Sequence, residues 1–156
     1  MKNKIGIEDK DQKKVAQILN IVLSSEFALY IKTRQFHWNV EGMNFISLHK
    51  LFEEQYEFLD EKVDEIAERV RALGEYSFGS MKQFLAHTVI KENDKVEMSD
   101  KNMLTQLLAD HEALIRFIRE NLEKIEAAGD QGTEDFLVGL MEEHEKVAWM
   151  LRASLS

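Results

Sequence analysis

The chain has 156 residues, no proline and no cysteine, with 29 acidic against 20 basic residues and a formal net charge of −9. This length predicts one domain over residues 1–156, and the lack of cysteine excludes disulfides and thiolate metal sites. The negative charge argues against a general nucleic-acid-binding protein and suits a protein that attracts cations.

Four long helices are predicted in chain order, because apolar residues repeat along them with the 3.6-residue period of an α-helix. A short arm precedes them at residues 1–9. The predicted helices cover residues 10–39, 44–73, 100–128 and 133–154.

The residues between these segments support the same division. Gly42, Gly74 and Gly129 stand where helices should end, and Thr133 is the predicted cap of the last helix. The longest connection lies between the second and third helices and contains a predicted short helix at residues 81–87. A long second-to-third crossover between two short hairpin loops is the ferritin-like pattern. The predicted fold is therefore all-α, a ferritin-like four-helix bundle.

The second predicted helix has two pairs of metal-ligand side chains beside its apolar face. His49 and Glu53 are four residues apart, as are Asp64 and Glu68, so each pair shares one helix face. The two pairs are separated by about 22 Å along the helix axis, too far to bind one metal within one chain. A solvated acidic face is the alternative explanation for this helix taken alone.

The two pairs lie symmetrically about the point between Phe58 and Leu59. If helix two packs antiparallel against a second copy of itself there, the first pair of one chain meets the second pair of the other. Such a two-fold arrangement creates two equivalent sites per dimer. None of the five histidines follows a glutamate by three residues, so a di-iron site of the Glu-x-x-His kind inside the bundle is not expected.

The segment FHWNVEGMNFISLHKLFEEQYEFLDEKVDEIAER, which begins at Phe36, resembles the Dps family of mini-ferritins. The resemblance implies a ferroxidase site between two subunits. His37 and His49 would be ligands from one subunit, and Asp64 and Glu68 from its two-fold partner. Glu53 also matches a ligand position, one that holds Asp in several family members. The resemblance gives Trp38 a role as one-electron donor or trap, with simple aromatic packing as the alternative.

Two further sets of residues have both a functional and a structural interpretation. The hairpin before the last helix is similar to the acidic segment that lines the family's three-fold pores, with Asp130 and Asp135 as candidates. Negative charge at a helix N-terminus explains the same residues without a pore. His111 and His144 lie on apolar stripes, and we predict them to be buried and fully hydrogen-bonded.

The resemblance implies a homododecamer that binds up to two iron ions at each inter-subunit site. It would oxidise Fe²⁺ with hydrogen peroxide or oxygen, store ferric mineral and protect DNA from oxidative damage. A DNA-condensing protein and a catalytically silent metal-binding shell are the alternatives, although the net charge predicts weak DNA binding or none. The chain shows no signal-peptide pattern and no expected membrane span, which indicates the cytoplasm.

Overall fold

The computed structural model describes residues 3–156, and over that range it contains five helices and no strand. They are α1 (Asp9–Asn39), α2 (Phe45–Ala72), α3 (Met81–His87), α4 (Asp100–Ala127) and α5 (Gln131–Ser154). The predicted all-α fold is confirmed, including the short helix in the crossover. The ends of the long helices differ from the predicted ends by about two residues or fewer, the usual uncertainty of a helix boundary.

The four long helices pack around an apolar core. α1 lies against α2, α4 lies against α5, and α1 also contacts α4. The core contains large side chains that are at most 1% exposed, among them Leu19, Phe36, Phe52, Leu107 and Ile118. Since burying one such side chain stabilises a fold by about 1.5–3 kcal/mol, these contacts are what hold the four helices side by side.

Local sequence sets where the helices end and begin. Gly42 and Gly129 follow α1 and α4 with φ angles of 101° and 72°, a left-handed conformation that glycine adopts without strain. Ser99 is the N-cap of α4, and its side chain accepts the Asn102 N–H of the first turn. The predicted cap of α5 is wrong. Asp130, not Thr133, is the N-cap, because the Asp130 carboxylate accepts the Thr133 N–H.

Polar side chains of α1 hold the long crossover in place. The side-chain oxygen of Asn20 accepts the Phe78 N–H at 2.8 Å. Farther along α1, the hydroxyl of Ser25 accepts a crossover N–H at 3.0 Å, and Lys32 donates to the Lys91 carbonyl at 2.6 Å. The crossover therefore follows α1 instead of closing a short loop, which is why α4 starts at the far end of the bundle from the end of α2.

The N-terminal arm lies against the bundle where the structure describes it. The side-chain amide of Asn3 donates to the Ala72 carbonyl at 2.8 Å, and Ile7 packs against the core. Residues 1–2 of the predicted arm lie outside the described residues.

By length and composition alone, α1 is apolar enough to cross a membrane, contrary to the expectation from the sequence. In the bundle, however, 67% of its most apolar window is buried. A core helix meets the same criteria, and most apolar residues of α1 are buried in the core here.

Candidate metal centre

His37, near the end of α1, and His49, in the second turn of α2, face each other as a pair. Their rings stack with centroids 3.8 Å apart and an interplanar angle of 20°. The Nδ1 atom of His37 lies 2.8 Å from the backbone oxygen of His49, and Nδ1 of His49 lies 2.9 Å from the backbone oxygen of His37. These reciprocal hydrogen bonds hold both rings in one orientation and join the two helices beside the loop that connects them.

The same hydrogen bonds determine which ring nitrogen carries the proton. A carbonyl oxygen can only accept, so each Nδ1 must donate, and a neutral imidazole then has its lone pair on Nε2. Metal-binding histidines have this arrangement, with the second ring nitrogen donating to a carbonyl or carboxylate. The structure thus brings His37 and His49 together with two Nε2 lone pairs that their protein hydrogen bonds leave free.

Tyr56, which we did not predict from the sequence, connects this pair to Glu53. Its hydroxyl lies 3.4 Å from the Oε1 atom of Glu53, and its ring meets His37 edge-on at 5.1 Å. The guanidinium of Arg34 lies 4.4 Å from the centroid of the Tyr56 ring. Loss of solvent contact and the Glu53 carboxylate raise the pKa of Tyr56, so the hydroxyl remains a donor. The feature of the sequence that could have indicated Tyr56 is its position two helical turns after His49.

Trp38 lies at the surface next to the histidine pair. Its side chain is 65% exposed, and the guanidinium of Arg34 lies 5.5 Å from its ring centroid. Phe45 and Ile46, at the start of α2, are also exposed apolar residues, and the Phe45 ring lies 5.0 Å from that of His49. Within one chain Trp38 is therefore not a core residue, and it borders an apolar surface around the two histidines.

The other two predicted ligands, Asp64 and Glu68, lie far along α2 and are exposed to solvent. Since α2 is unbroken from Phe45 to Ala72, the separation of about 22 Å expected between His49 and Asp64 holds in the folded chain. Over residues 3–156, no group of three or more metal-ligand side chains converges on one point. A single chain thus provides two separate partial sets of candidate ligands, one near the start of α2 and one in its second half.

The two acidic residues of the predicted pore segment have different surroundings. Asp130 is 2% exposed, and its carboxylate binds the Arg69 guanidinium at 2.7 Å and the Thr133 N–H and hydroxyl at 3.0 Å and 2.5 Å. Both Asp130 oxygens therefore have protein partners, which favours the capping interpretation for this residue. Asp135 is exposed and remains the candidate pore residue.

His111 and His144 are buried as predicted, but the prediction that both are fully hydrogen-bonded is wrong. Both have no exposed surface, and their Nδ1 atoms lie 2.8 Å apart. The Nε2 atom of His144 lies 2.6 Å from Oε1 of Glu26, whereas Nε2 of His111 has no hydrogen-bond partner among residues 3–156. We did not predict Glu26, which is completely buried on α1. Its place among small and apolar residues was the only sequence signal.

The chain has clear relatives among known proteins. Residues 16–156 match the family model of the ferritin-like domain. The chain is 47% identical over 150 residues to an uncharacterized low temperature-induced protein of Nostoc sp., with 96% of this chain and 84% of that protein covered. It is 35% identical over 144 residues to DNA protection during starvation protein 2 of Bacillus anthracis, with 92% and 98% covered.

Solved structures show the same relationship. The Dps protein of Vibrio cholerae O1, described as a member of a broad superfamily of ferritin-like diiron-carboxylate proteins, matches with a TM-score of 0.94 and 34% identity, covering 99% of this chain and 96% of that one. A Dps protein of Bacillus brevis matches with a TM-score of 0.91 and 32% identity over the full length of both chains. Fold, sequence and relatives agree, and the chain belongs to the Dps family of ferritin-like proteins.

Proposed function

We propose that two copies of this chain share each metal site and that the site oxidises Fe²⁺ to Fe³⁺. The observation that carries the proposal is the His37–His49 pair, in which reciprocal hydrogen bonds leave both Nε2 atoms free for a metal. Glu53 lies one turn farther along α2. Asp64 and Glu68 of a second copy would complete the set, as the spacing on α2 requires.

The surface around the histidine pair supports a second copy as the partner. Trp38, Met43, Phe45 and Ile46 are all exposed apolar residues in the single chain. Soluble proteins rarely leave such neighbouring apolar side chains in water unless the surface makes an interface. A two-fold interface here would cover them and bring each histidine pair to the exposed carboxylates of the other subunit.

The proposed site suits iron as substrate. Carboxylates are hard ligands that favour the oxidised metal, and imidazole binds Fe²⁺ well, so a mixed set supports the change of oxidation state. Two Fe²⁺ ions each lose one electron to one hydrogen peroxide molecule, which takes up two protons and becomes two water molecules. In this proposal Trp38, next in sequence to His37, would supply or trap a single electron when only one iron ion is bound.

We extend the proposal to a hollow homododecamer that stores the ferric product as mineral. The relatives of this chain that are named for DNA protection during starvation suggest the benefit of such storage. Consuming Fe²⁺ and peroxide together removes the reactants that form hydroxyl radicals. Of the two pore candidates, Asp135 has the exposed carboxylate that would concentrate Fe²⁺ at an entrance.

A peroxide-driven oxidation assay tests the activity. Metal-free protein should take up Fe²⁺ without oxygen and convert it rapidly to Fe³⁺ on addition of peroxide, at half an equivalent per iron. Trapping of hydroxyl radicals in the same samples should fall below that of iron and peroxide alone. Oxidation no faster than in buffer would show that the shell binds metal without catalysis, and the ferroxidase proposal would be wrong.

We expect no appreciable DNA binding at neutral pH and physiological salt. Lys and Arg contacts to phosphates provide most DNA affinity, whereas each subunit has a net charge of −9. Of the basic residues near the N-terminus, Lys2 lies outside the described residues, and Lys10, in the first turn of α1, pairs with Glu8 at 2.8 Å. The check is a gel shift of plasmid DNA at about 150 mM salt with a chelator, where exposed charges are strongly screened.

The chelator matters because Fe²⁺ can bridge acidic protein surfaces and phosphates. A parallel sample at low salt controls for the weak avidity of many arms on one shell. Retention of DNA at micromolar protein in the chelated, high-salt sample would contradict the prediction and favour the DNA-condensing alternative.

A further inference from the structure

The centre of the bundle contains three ionisable side chains that the proposed metal site does not use. Glu26 on α1, His144 on α5 and His111 on α4 have no exposed surface. Glu26 and His144 are 2.6 Å apart, and His144 and His111 are 2.8 Å apart. We call these residues the Glu26–His144–His111 row. It joins three of the four long helices through two short contacts.

The geometry of the row excludes a shared metal ion. His144 contacts Glu26 through Nε2 and His111 through Nδ1, and these two lone pairs point away from each other. Metal ligands must converge on one point at about 2.0–2.2 Å. The three groups instead lie one after another, which is the arrangement of a hydrogen-bonded relay. The ligand that fits this row is the proton.

Counting protons shows how many the row must hold. Each of the two short contacts requires one proton between its two atoms. With only those two protons, both imidazoles are neutral and Glu26 is a buried carboxylate without a compensating charge, which is a costly state. A third proton makes the row electrically neutral. Since imidazole is ordinarily a stronger base than a carboxylate, this proton makes His144 an imidazolium between the Glu26 carboxylate and the accepting Nδ1 of His111.

Charges on neighbouring turns do not offer another way to compensate Glu26. On the α1 and α4 side, Lys32 is paired with Asp110 at 2.5 Å. From α2, the Phe58 ring faces His144 with centroids 5.5 Å apart. Lys62, close to that ring, is paired with Glu143 at 3.1 Å and with a second carboxylate on α2. Both of these lysines already have carboxylate partners, so neither compensates Glu26, and a bound proton is the charge that fits the row.

We propose that the Glu26–His144–His111 row is a proton-binding site that holds three protons at neutral pH and makes the stability of the bundle depend on pH in both directions. Loss of the third proton in alkali leaves a buried negative charge. A fourth proton in acid would neutralise Glu26 and leave a buried positive charge. The row therefore stabilises the contact of α1, α4 and α5 most strongly near neutrality.

The dependence of stability on pH therefore has an acid limb and an alkaline limb. The direction of each limb follows from the number of protons that the unfolded chain binds at the same residues. Below the ordinary histidine pKa of about 6.5, the unfolded chain has both histidines charged and binds four protons at these residues, one more than the row. Stability then falls with falling pH. Above that pH the unfolded chain binds two protons, one fewer than the row, so stability falls with rising pH. Each limb changes the unfolding constant by about tenfold per pH unit and per subunit.

The surroundings of His111 support the acid limb. Complete burial, followed by the neighbouring His144, lowers the pKa of His111 well below its ordinary value. The stability gained by keeping His111 neutral is fully present above the pKa of a histidine in the unfolded chain, and it is lost as the pH falls below that pKa. Asp110 acts in the opposite direction, because burial raises its pKa and the folded chain takes up its proton first. Asp110 therefore cannot produce the loss of stability in acid that we expect from the row.

Two substitutions separate the limbs. In His111→Leu the remaining Glu26–His144 pair holds two protons, as many as its unfolded counterpart in acid, so the acid limb should disappear and the alkaline limb remain. In Glu26→Gln the two imidazoles need only two protons, so the alkaline limb should disappear and the acid limb should steepen. His87→Ala, which removes an exposed histidine of α3, is the matched control and should change neither limb.

The measurement is urea unfolding of the full-length protein between pH 5.5 and 8.5 at one subunit concentration. Solid-state ¹⁵N NMR of the histidine-labelled wild-type protein at pH 7 provides a readout that does not require the variants to fold. It should show one buried imidazolium hydrogen-bonded to a neutral imidazole. Two neutral buried histidines, or limbs that persist unchanged in both variants, would overturn the proposal.

Discussion

His49→Ala and Asp64→Asn should each slow peroxide-driven oxidation of Fe²⁺ by at least about 100-fold while the helical content stays unchanged. Loss of an outer hydrogen-bond partner of a metal ligand already costs 10–100-fold in affinity or activity, and loss of the ligand itself removes more. Neither residue contributes to the core, since His49 is half-buried and Asp64 is exposed. Stopped-flow absorbance of the ferric product measures the rates. Glu61→Gln, an exposed carboxylate change on α2, is the matched control.

Mixing the two inactive variants should restore activity, which is the sharper test of a shared site. A dimer with one chain of each kind has one site that lacks both ligands and one site with every ligand intact. After dissociation and random reassembly of equal amounts, half of the dimers are mixed, so about a quarter of all sites should be intact. Recovery of none of the activity would contradict the model in which His49 and Asp64 of different subunits bind one iron site.

Asp130→Ala should lower the free energy of unfolding by about 2–3 kcal/mol, because it removes an N-cap and leaves the Arg69 guanidinium without its partner. The Asp130 carboxylate is 2% exposed, whereas the Arg69 side chain is 29% exposed, so water relieves part of the loss on the arginine side. Urea unfolding at neutral pH measures the change. Glu134→Gln, in the first turn of the same helix, should cost less than about 1 kcal/mol.

Asp135→Asn separates this structural role from transport. Since the Asp135 carboxylate is exposed, its neutralisation should leave unfolding unchanged but slow iron uptake at low ionic strength, with a smaller effect as salt screens the charge. If Asp130→Ala leaves stability unchanged, the capping interpretation is wrong. If Asp135→Asn leaves low-salt uptake unchanged, the pore assignment fails.

The sequence predicted those parts of the molecule that depend on local patterns. Apolar periodicity gave the long helices, and turn residues gave their ends, because hydrogen bonding and side-chain burial within a helix depend on residues a few positions apart. The N-cap of α5, predicted as Thr133, is the exception, because local patterns do not decide between two suitable capping residues. Asp130 and Thr133 are both good caps, and Asp130 is selected because Arg69, more than 60 positions away, binds its carboxylate.

The arrangement of the proposed metal ligands could be predicted only as far as spacing along one helix constrains it. His49, Glu53, Asp64 and Glu68 lie on one helix, so their separations follow from helix geometry alone. The reciprocal hydrogen bonds of His37 and His49, and the contact of Tyr56 with both Glu53 and His37, require a fixed distance between α1 and α2. No pattern along the chain contains that distance.

The sequence by itself thus determined the helices, their order, the family and the spacing of the proposed ligands on α2, because each depends on neighbours along the chain or on a dense local motif. Only the tertiary structure decided which ring nitrogens of His37 and His49 are free, that Asp130 is buried in an ion pair, and that Glu26, His144 and His111 meet. The physical reason is that these properties arise between helices. Charge compensation and hydrogen-bond partners there come from residues far apart in sequence, and packing of the core brings them within 3 Å of each other.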